Sequence, residues 1–540
     1  MCGIDFEVIP STNSHSECLE SIRRRGPDAE QKIVEVLGSW STRMHSTVLH
    51  LRGGECVTQP LVNERFALLW NGEAYDGLEM GRYDNDTSAL FHAITIAQSA
   101  SEIFSAIRGE YAFVLLDRQD RAIYYGRDVF GRRSLVQQLS STYLRLTSAV
   151  PAQAKNAIEV PATGIWTVRL SDELASPVLI PWSHLNGIPR ISRAGEIESV
   201  LNSTIQEFEG SLGRRLLNIP HIKDASTAHV AILFSGGIDS VILAAIADRV
   251  LPPGVPVDLI NVAFENRRFV SNNPTTDPYS VPDRVSGMVG WEELQNKVAP
   301  NRRWNFVKVN VPAIEYDEWK PHVLQLICPS DTIMDLSIAI ALWFAARGVG
   351  LVENIPYQST AKVLLLGMGA DEQLGGYSRH RSAFERGGRE ALLEEMQMEL
   401  DRIAHRNLGR DDRVISDHGK EARFPFLDEQ LVSHLSSLPV ELKCDFSKPR
   451  GSGEKILIRR MAQHFGFSDQ VALLPKRAIQ FGAKTAKMES SSERGDFKLP
   501  ILKYPDNQSA LSQILEIYLQ VPGQSIHSIT NIRELSSSPG

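Results

Sequence analysis

Up to about residue 150 the chain is a series of short apolar runs, among them Phe66–Trp70, Tyr111–Leu115 and Ala122–Tyr125. Gly and Asn-Gly punctuation, as at Asn71-Gly72, separates them. Runs of this kind predict a mostly antiparallel sheet structure with few helices. From Val150 to Pro189 the pattern fades, and Pro151, Pro161, Pro177, Pro181 and Pro189 predict a connector. The period then changes. Ser192–Leu212 has the apolar spacing of an amphipathic helix. Ala228–Phe234 is a buried-strand run, followed by a Gly-rich turn and the helical stretch Ser240–Val250. Val257–Phe264 and Val363–Leu366 are further strands. Strands alternating with helices predict a parallel α/β sheet. Asn266–Asn296, rich in Pro, Ser and Asn, predicts an inserted loop, and the tail from Lys487, with its Ser490–Ser492 and Ser536–Ser538 runs, predicts a partly flexible end.

Composition narrows the class. The 540 residues suit two to four domains, and 42% hydrophobic with 23% charged residues is ordinary for a globular chain. A net charge of −8 argues against a nucleic-acid surface. The cysteines are Cys2, Cys18, Cys56, Cys328 and Cys444, an odd number without Cys-x-x-Cys spacing. That fits neither a disulfide framework nor a zinc ribbon and points to a reducing compartment. The strongest apolar run, around Ile338–Ala346, is too short to span a bilayer, and Met1–Asp5 does not open a signal peptide. The expectation is a cytoplasmic protein with no membrane and no nucleic-acid partner, its oligomeric state open.

Chemistry enters at the second residue. Removal of the initiator methionine would make Cys2 residue one and place its α-amine, titrating at about 8, beside its own thiol as a general base. Such a thiolate would attack the carboxamide of glutamine, releasing ammonia and then glutamate. Alone, Cys2 reads more readily as an incidental terminal residue. Asn71 and Gly72 add a side-chain amide and a backbone N–H, two neutral donors suited to an oxyanion hole on a tight turn, although Asn-Gly is also a strong hairpin signal. Two readings of Asp86, within Asp84–Thr87, stand: pairing with the ammonium of glutamine, or a helix cap.

Farther on, Ser235-Gly236-Gly237-Ile238-Asp239-Ser240 follows an apolar strand and opens a helix. The glycines permit close backbone approach, and a helix N-terminus presents free N–H groups, which together make a pyrophosphate cradle. The Lys-Ser/Thr of a P-loop is missing, so γ-phosphate transfer is not implied. Gly367-Met368-Gly369-Ala370-Asp371-Glu372 follows the strand Val363–Leu366. Asp239 and Asp371 would hold Mg²⁺ against the triphosphate of ATP, since that ion prefers hard oxygen ligands. The plainer reading of Asp371 is a helix cap. Leu233 and Val262 are expected to line the nucleotide pocket.

Met1-Cys2-Gly3-Ile4, Arg25-Gly26-Pro27-Asp28, Asn71–Glu73 and Arg127–Gly131 resemble the class II (N-terminal nucleophile, Ntn) glutamine amidotransferases. The Ser235–Ser240 loop resembles that of the ATP pyrophosphatases, and Glu421-Ala422-Arg423-Phe424-Pro425-Phe426-Leu427-Asp428 resembles the Glu-Ala-Arg-x-Pro-Phe-Leu-Asp segment of asparagine synthetases. In that order the motifs span nearly the whole chain. They resemble the glutamine-hydrolysing asparagine synthetase family, most of all its eukaryotic asparagine synthetase domain-containing branch. The resemblance implies an α+β Ntn-type α-β-β-α sandwich over residues 1–190 and a parallel α/β ATP-pyrophosphatase-like domain over 191–540, ending in the flexible tail. It implies catalysis by Cys2, Asn71 and Gly72, and glutamine binding by Arg52, Glu73 and Asp86. ATP would lie on Leu233, Ser235, Gly236, Gly237, Asp239, Ser240, Val262, Gly367 and Lys476, with Mg²⁺ on Asp239 and Asp371. An acceptor carboxylate, aspartate favoured, would be adenylylated and amidated, with AMP and pyrophosphate released.

Three positions depart from the family pattern. Where it has Arg-Leu-x-Ile, this chain has Val48-Leu49-His50-Leu51-Arg52, with Arg52 out of register. The acceptor-loop pattern Thr-Thr-x-Arg-x-Ser becomes Thr332-Ile333-Met334-Asp335-Leu336-Ser337, with an aspartate for the arginine. Facing the acceptor, Asp335 would repel an anion; facing outward, it would not matter. The pattern Arg-Gln-Lys-Glu-Gln-Phe becomes Lys476-Arg477-Ala478-Ile479-Gln480-Phe481, leaving Lys476 or Arg477 to reach the phosphates. Two rival expectations remain: the same machinery on another acceptor, and a non-catalytic scaffold derived from the family.

Overall fold

In the N-terminal part, strands whose side chains alternate between two faces stack as two six-stranded antiparallel sheets. The computed structural model describes residues 2–488 apart from 82, 83, 98, 151–153, 155, 183–196, 221, 223 and 266–276. The expectations for Met1 and for the tail after Met488 therefore fall outside the described residues. The first sheet runs Ile158–Glu159, Val136–Ser140, Tyr143–Thr147, Gly3–Pro10, Trp40–Val48, Ala29–Leu37. The second runs Val178–Pro181, Gly164–Arg169, Ala122–Arg127, Arg108–Asp117, Phe66–Asp76, Leu61–Val62. Ile4, Phe6 and Val8 of the first meet Leu69, Val114 and Leu116 of the second in a buried core, as period-two alternation requires. The outer face of the second sheet packs Leu68 and Phe113 against Leu90 and Ile94 of the helix Asp86–Ile96 and Phe104 of the helix Ala100–Ala106. The short helix Glu20–Arg25 lies against the first sheet.

Two expectations fail here. Asn71-Gly72 is not a turn: the strand continues from Phe66 to Asp76, with Asn71 opposite Ala112 and Gly72 opposite Tyr111. Gly72 is there because of close approach, since a Cβ would run into the Glu110 carbonyl oxygen. Val150–Pro189 is not simply a connector either. Gly164–Arg169 and Val178–Pro181 are strands of the second sheet, and Trp166 and Val168 fill its core. Pro161, Pro177 and Pro181 fall at or just beyond strand ends, where a missing N–H costs no ladder bond.

The second part is a seven-stranded sheet in the order Ile355–Gln358, Val349–Val352, Trp304–Val311, Val257–Phe264, Val230–Leu233, Val363–Leu365, Glu421–Arg423. The last five pair in parallel, and the first two form an antiparallel edge hairpin. Val230 and Ile232 pack with the helices Ile197–Leu216 and Ile238–Val250, while Ala231 packs on the other face with the helix Ile333–Arg347. The strand Val230–Leu233 has Val257–Phe264 on one side and Val363–Leu365 on the other, so chain order reverses at it. Ligand sites of doubly wound sheets open at the carboxyl ends of strands at such a point. Of the predicted insertion, residues 266–276 lie outside the described residues and most of the rest is not a loop. Pro282–Glu293 is helical with Pro282 in its first turn, and Leu294–Val298 continues it. Proline at a helix start gives up an N–H that would be unpaired anyway. Among the described residues no helix is long and apolar enough to cross a membrane.

Candidate active sites

The strand Gly3–Pro10 carries Cys2 at its head, with its side chain buried. All five cysteines are free thiols. Gln59 donates to the Cys2 sulfur at 3.8 Å and accepts from the Trp70 N–H at 2.7 Å. The next residue along that strand, Asn71, is fully buried, and neither polar atom of its amide has a partner. Burial pushes the Cys2 thiol up to about 11, with Glu421 and Asp86 adding to the effect. The thiol is therefore neutral at rest and needs a base.

Arg52, Glu73 and Asp86 meet beside it. Arg52 donates to the Ala74 carbonyl at 2.5 Å, stands 3.7 Å from Glu73, and keeps a buried Nε without a partner. Asp86 is buried and accepts from the Ala74 N–H at 2.8 Å. Asn85, not Asp86, caps the following helix, accepting from the Ser88 N–H at 3.1 Å. Burial lifts the Glu73 carboxyl to about 8 despite Arg423. Gly72 contributes backbone alone.

The wall of this pocket comes from the second part. Arg423 of the edge strand reaches Glu73 at 3.1 Å and bonds Glu421 at 2.7 Å. Arg25 donates to the Cys2 carbonyl at 3.2 Å while pairing with Asp412 at 2.7 Å. Glu110 takes Arg133 at 3.2 Å and Arg215 at 2.7 Å. Arg127–Gly131 is structural: Asp128 accepts from the Tyr111, Phe130 and Arg132 N–H groups, each at 3.0 Å.

The second site is a cleft of about 1700 Å³ at the carboxyl ends of the parallel strands. Leu233, Ser235, Gly237, Asp239, Ser240, Val262, Gly367, Asp371 and Lys476 all line it. Gly236 lies behind the lining; its φ of +75° and the Ser286 carbonyl leave no room for a Cβ. The helix Ile238–Val250 starts at Gly237 with no side-chain cap, which leaves first-turn N–H groups open to an anion.

Asp239 and Asp371 are joined by a lysine that the motifs did not flag. The buried Lys455 donates to Asp239 at 2.7 and 2.8 Å and pairs with Asp371 at 2.7 Å. Lys476 pairs with Asp371 at 3.0 Å and sits 4.1 Å over the Tyr377 ring. Of the two candidates near Ala478, Lys476 thus faces the acidic motif, whereas Arg477 lies 3.7 Å from Asp283. Burial opposes ionisation of Asp371, but Lys455 and Lys476 hold its carboxyl well below the usual range. Next to it, burial lifts Glu372 to about 7, and Tyr377 donates to it at 2.6 Å. Asp335 also faces the cleft, where Arg410 pairs with it at 2.5 Å. Gln59, Lys455 and Arg410 carry no local signature; only the tertiary fold brings them to the sites.

Residues 1–165 match a family model described as glutamine amidotransferase domain, and residues 223–393 and 383–494 match one described as asparagine synthase. The chain is 35% identical to asparagine synthetase domain-containing protein 1 of Gallus gallus, over 92% of this chain and 98% of that one. It is 31% identical to an asparagine synthetase domain-containing protein of Saccharomyces cerevisiae, over 91% and 93% of the two chains. It is 23% identical to the glutamine-hydrolysing asparagine synthetase of Gallus gallus, over 90% and 85%.

Proposed function

The chain belongs to the asparagine synthase family and carries a glutamine amidotransferase domain, and from that premise we propose that it converts a carboxylate to an amide with glutamine as nitrogen donor and ATP as driving substrate. The observation that carries the reading is Asn71. An amide that is fully buried with both polar atoms unpartnered, one residue from the Trp70 N–H that Gln59 ties to the Cys2 sulfur, is a preorganised donor waiting for an oxyanion.

In this reading the Cys2 sulfur attacks the glutamine carboxamide, and the α-amine freed by methionine removal takes the thiol proton. Asn71 and the Gly72 N–H hold the oxyanion. Asp86 faces the glutamine ammonium and Arg52, with its free Nε, faces the carboxylate. The carbon–nitrogen bond then breaks as the α-amine returns the proton to the leaving ammonia, and water hydrolyses the γ-glutamyl thioester to glutamate. The ammonia passes to the cleft, where a sheltered route keeps it unprotonated. There the acceptor carboxylate takes the AMP moiety of ATP, pyrophosphate leaves, and ammonia displaces AMP. The uncapped first-turn N–H groups of the helix Ile238–Val250 and the side chains of Lys455 and Lys476 suit a polyphosphate. Asp239 and Asp371 offer the hard oxygen donors that Mg²⁺ takes beside phosphate, and the ion, when bound, would neutralise phosphate charge. Aspartate is the acceptor that the relatives' names suggest; a second reading, the same machinery on another carboxylate, is favoured by Asp335 on the cleft wall.

The test uses purified protein whose N-terminus is verified as Cys2, with amide-¹⁵N glutamine, ATP, Mg²⁺ and a carboxylate acceptor. Label in a product amide, matched by pyrophosphate, is the expected result. Folded protein that releases no pyrophosphate with glutamine or ammonia, on either aspartate or an α-amidated aspartate, would overturn the reading in favour of a scaffold.

A further inference from the structure

The nucleotide cleft continues past the phosphate loop. Its volume of about 1700 Å³ exceeds the ~300–1,000 Å³ usual for a small-molecule site. Beyond Asp371 it runs beneath the first sheets to Leu139, Asn156 and Trp166, and Asp335, Arg410 and Asp411 stand on its wall. Arg410 bonds Asp335 at 2.5 Å and Asp411 at 2.9 and 2.8 Å. Two carboxylates thus share one cation. Asp411 is fully buried, and its Oδ2 has no donor at all.

Among the described residues that line the cleft, no spare arginine or lysine balances this excess. Arg379 and Arg406 both pair with Glu399, at 2.6 and 3.1 Å. Lys455 and Lys476 serve Asp239 and Asp371, and Arg477 lies by Asp283. Every arginine and lysine on the described lining is therefore already paired. Free aspartate would bring a second carboxylate into this region, and a desolvated charge without a partner is costly. An N–H donor placed here would instead complete Asp411 Oδ2 and face Asp335.

We propose that the acceptor is a carboxylate whose α-carboxyl is blocked as an amide, as in an aspartyl side chain carried by a peptide, with its N–H groups donated to Asp335 and Asp411. The proposal rests on the amide-forming reading above. The acceptor oxygen bonds to the α-phosphorus of ATP as the bond to pyrophosphate breaks. Ammonia nitrogen then bonds to the acyl carbon, the bond to AMP breaks, and the nitrogen loses one proton. The long cleft gives the rest of a peptide a place to lie.

Aspartic acid α-amide and free aspartate are compared as acceptors by pyrophosphate release and, separately, by calorimetric titration in the presence of AMP. The expected result is kcat/KM higher by about tenfold or more for the α-amide, with the ratio shrinking or reversing in Asp335→Arg. Asp335→Asn, which keeps the side-chain shape, should shrink it too and covers the case in which the arginine variant fails to fold. Equal or better use of free aspartate by the wild type would overturn the proposal while leaving amide formation intact. If neither acceptor turns over yet the α-amide binds about tenfold more tightly, amide formation fails and the subsite stands. Neither turnover nor discrimination in binding sinks both.

Discussion

Cys2 is buried and Asp371 half-buried, and the chain treats the polar groups around them differently. About Cys2 three polar groups are left neutral or unpartnered: a thiol at about 11, Glu73 at about 8, an Asn71 amide with no bond. About Asp371 the charges are kept and matched, with Lys455 and Lys476 holding the carboxylate ionised. A pocket with unsatisfied donors, the Asn71 amide and the Arg52 Nε, suits a zwitterion and a transient oxyanion, whose arrival completes the bonding. A lattice of matched ions suits a polyphosphate and a divalent cation, which exchange partners without leaving a bare charge. The difference teaches that the two sites of the proposed reaction are distinct in their electrostatics, although residues of the second part wall the first.

Cys2→Ala breaks the comparison most strongly. Glutamine-dependent amide formation should fall by at least ~10³-fold, the scale set by losing a nucleophile. Ammonia-supported pyrophosphate release should stay within about twofold, because nothing in the lysine–carboxylate lattice touches Cys2. Both are read in one pyrophosphate assay with the nitrogen source exchanged. An equal fall in both would show that the sites are not separable.

Arg423 tests the wall that the second part lends to the Cys2 pocket. Its guanidinium lies between Glu73 and Glu421 at 3.1 and 2.7 Å, with no exposure. Burial works against ionisation of Glu421, but Arg423 and Arg133 hold it below the usual range. Arg423→Met would leave the buried Glu421 carboxylate short of a partner and take the nearest cation from Glu73, and should cost about 3–5 kcal/mol in urea unfolding. It should also raise the KM for glutamine, although the residue lies in the asparagine synthase part of the chain. Arg423→Lys should recover part of the stability. An unchanged midpoint would mean that the wall carries no charge at all.

The sequence made much of this legible where a motif is contiguous. Ser235–Ser240 falls at the strand-to-helix junction its glycines require, and Val257–Phe264 is a strand over the predicted span. Where the signal was double, the bland choice misled. Asn71-Gly72 has the composition of a hairpin turn, but the continuing alternation through Ala74 and the neighbouring Glu110 carbonyl keep it in a strand. Prolines 161, 177 and 181 looked like a linker because their positions at strand ends depend on which strand is an edge. Lys455 and Arg410 were beyond reach, since each meets its partner across 216 and 75 residues of chain.

The smallest effect sharpens the comparison inside the second site. Asp371 is held ionised, while burial lifts its neighbour Glu372 to about 7 from an ordinary 4.5. Between those two pH values the folded protein keeps a proton that the unfolded chain has released. Stability from this group is thus complete below about 4.5, declines as pH rises, and is lost above about 7. The whole loss is bounded at roughly 3 kcal/mol, the worth of such a displacement in a fully buried carboxyl. Glu372→Gln removes the titration and can still accept from Tyr377. Urea midpoints between pH ~5 and ~8 should therefore fall more steeply for wild type than for the variant. The same slope in both would mean that Lys476, which also reaches Tyr377 and Asp371, keeps Glu372 ionised throughout. The acidic motif around Asp371 would then consist of matched ions.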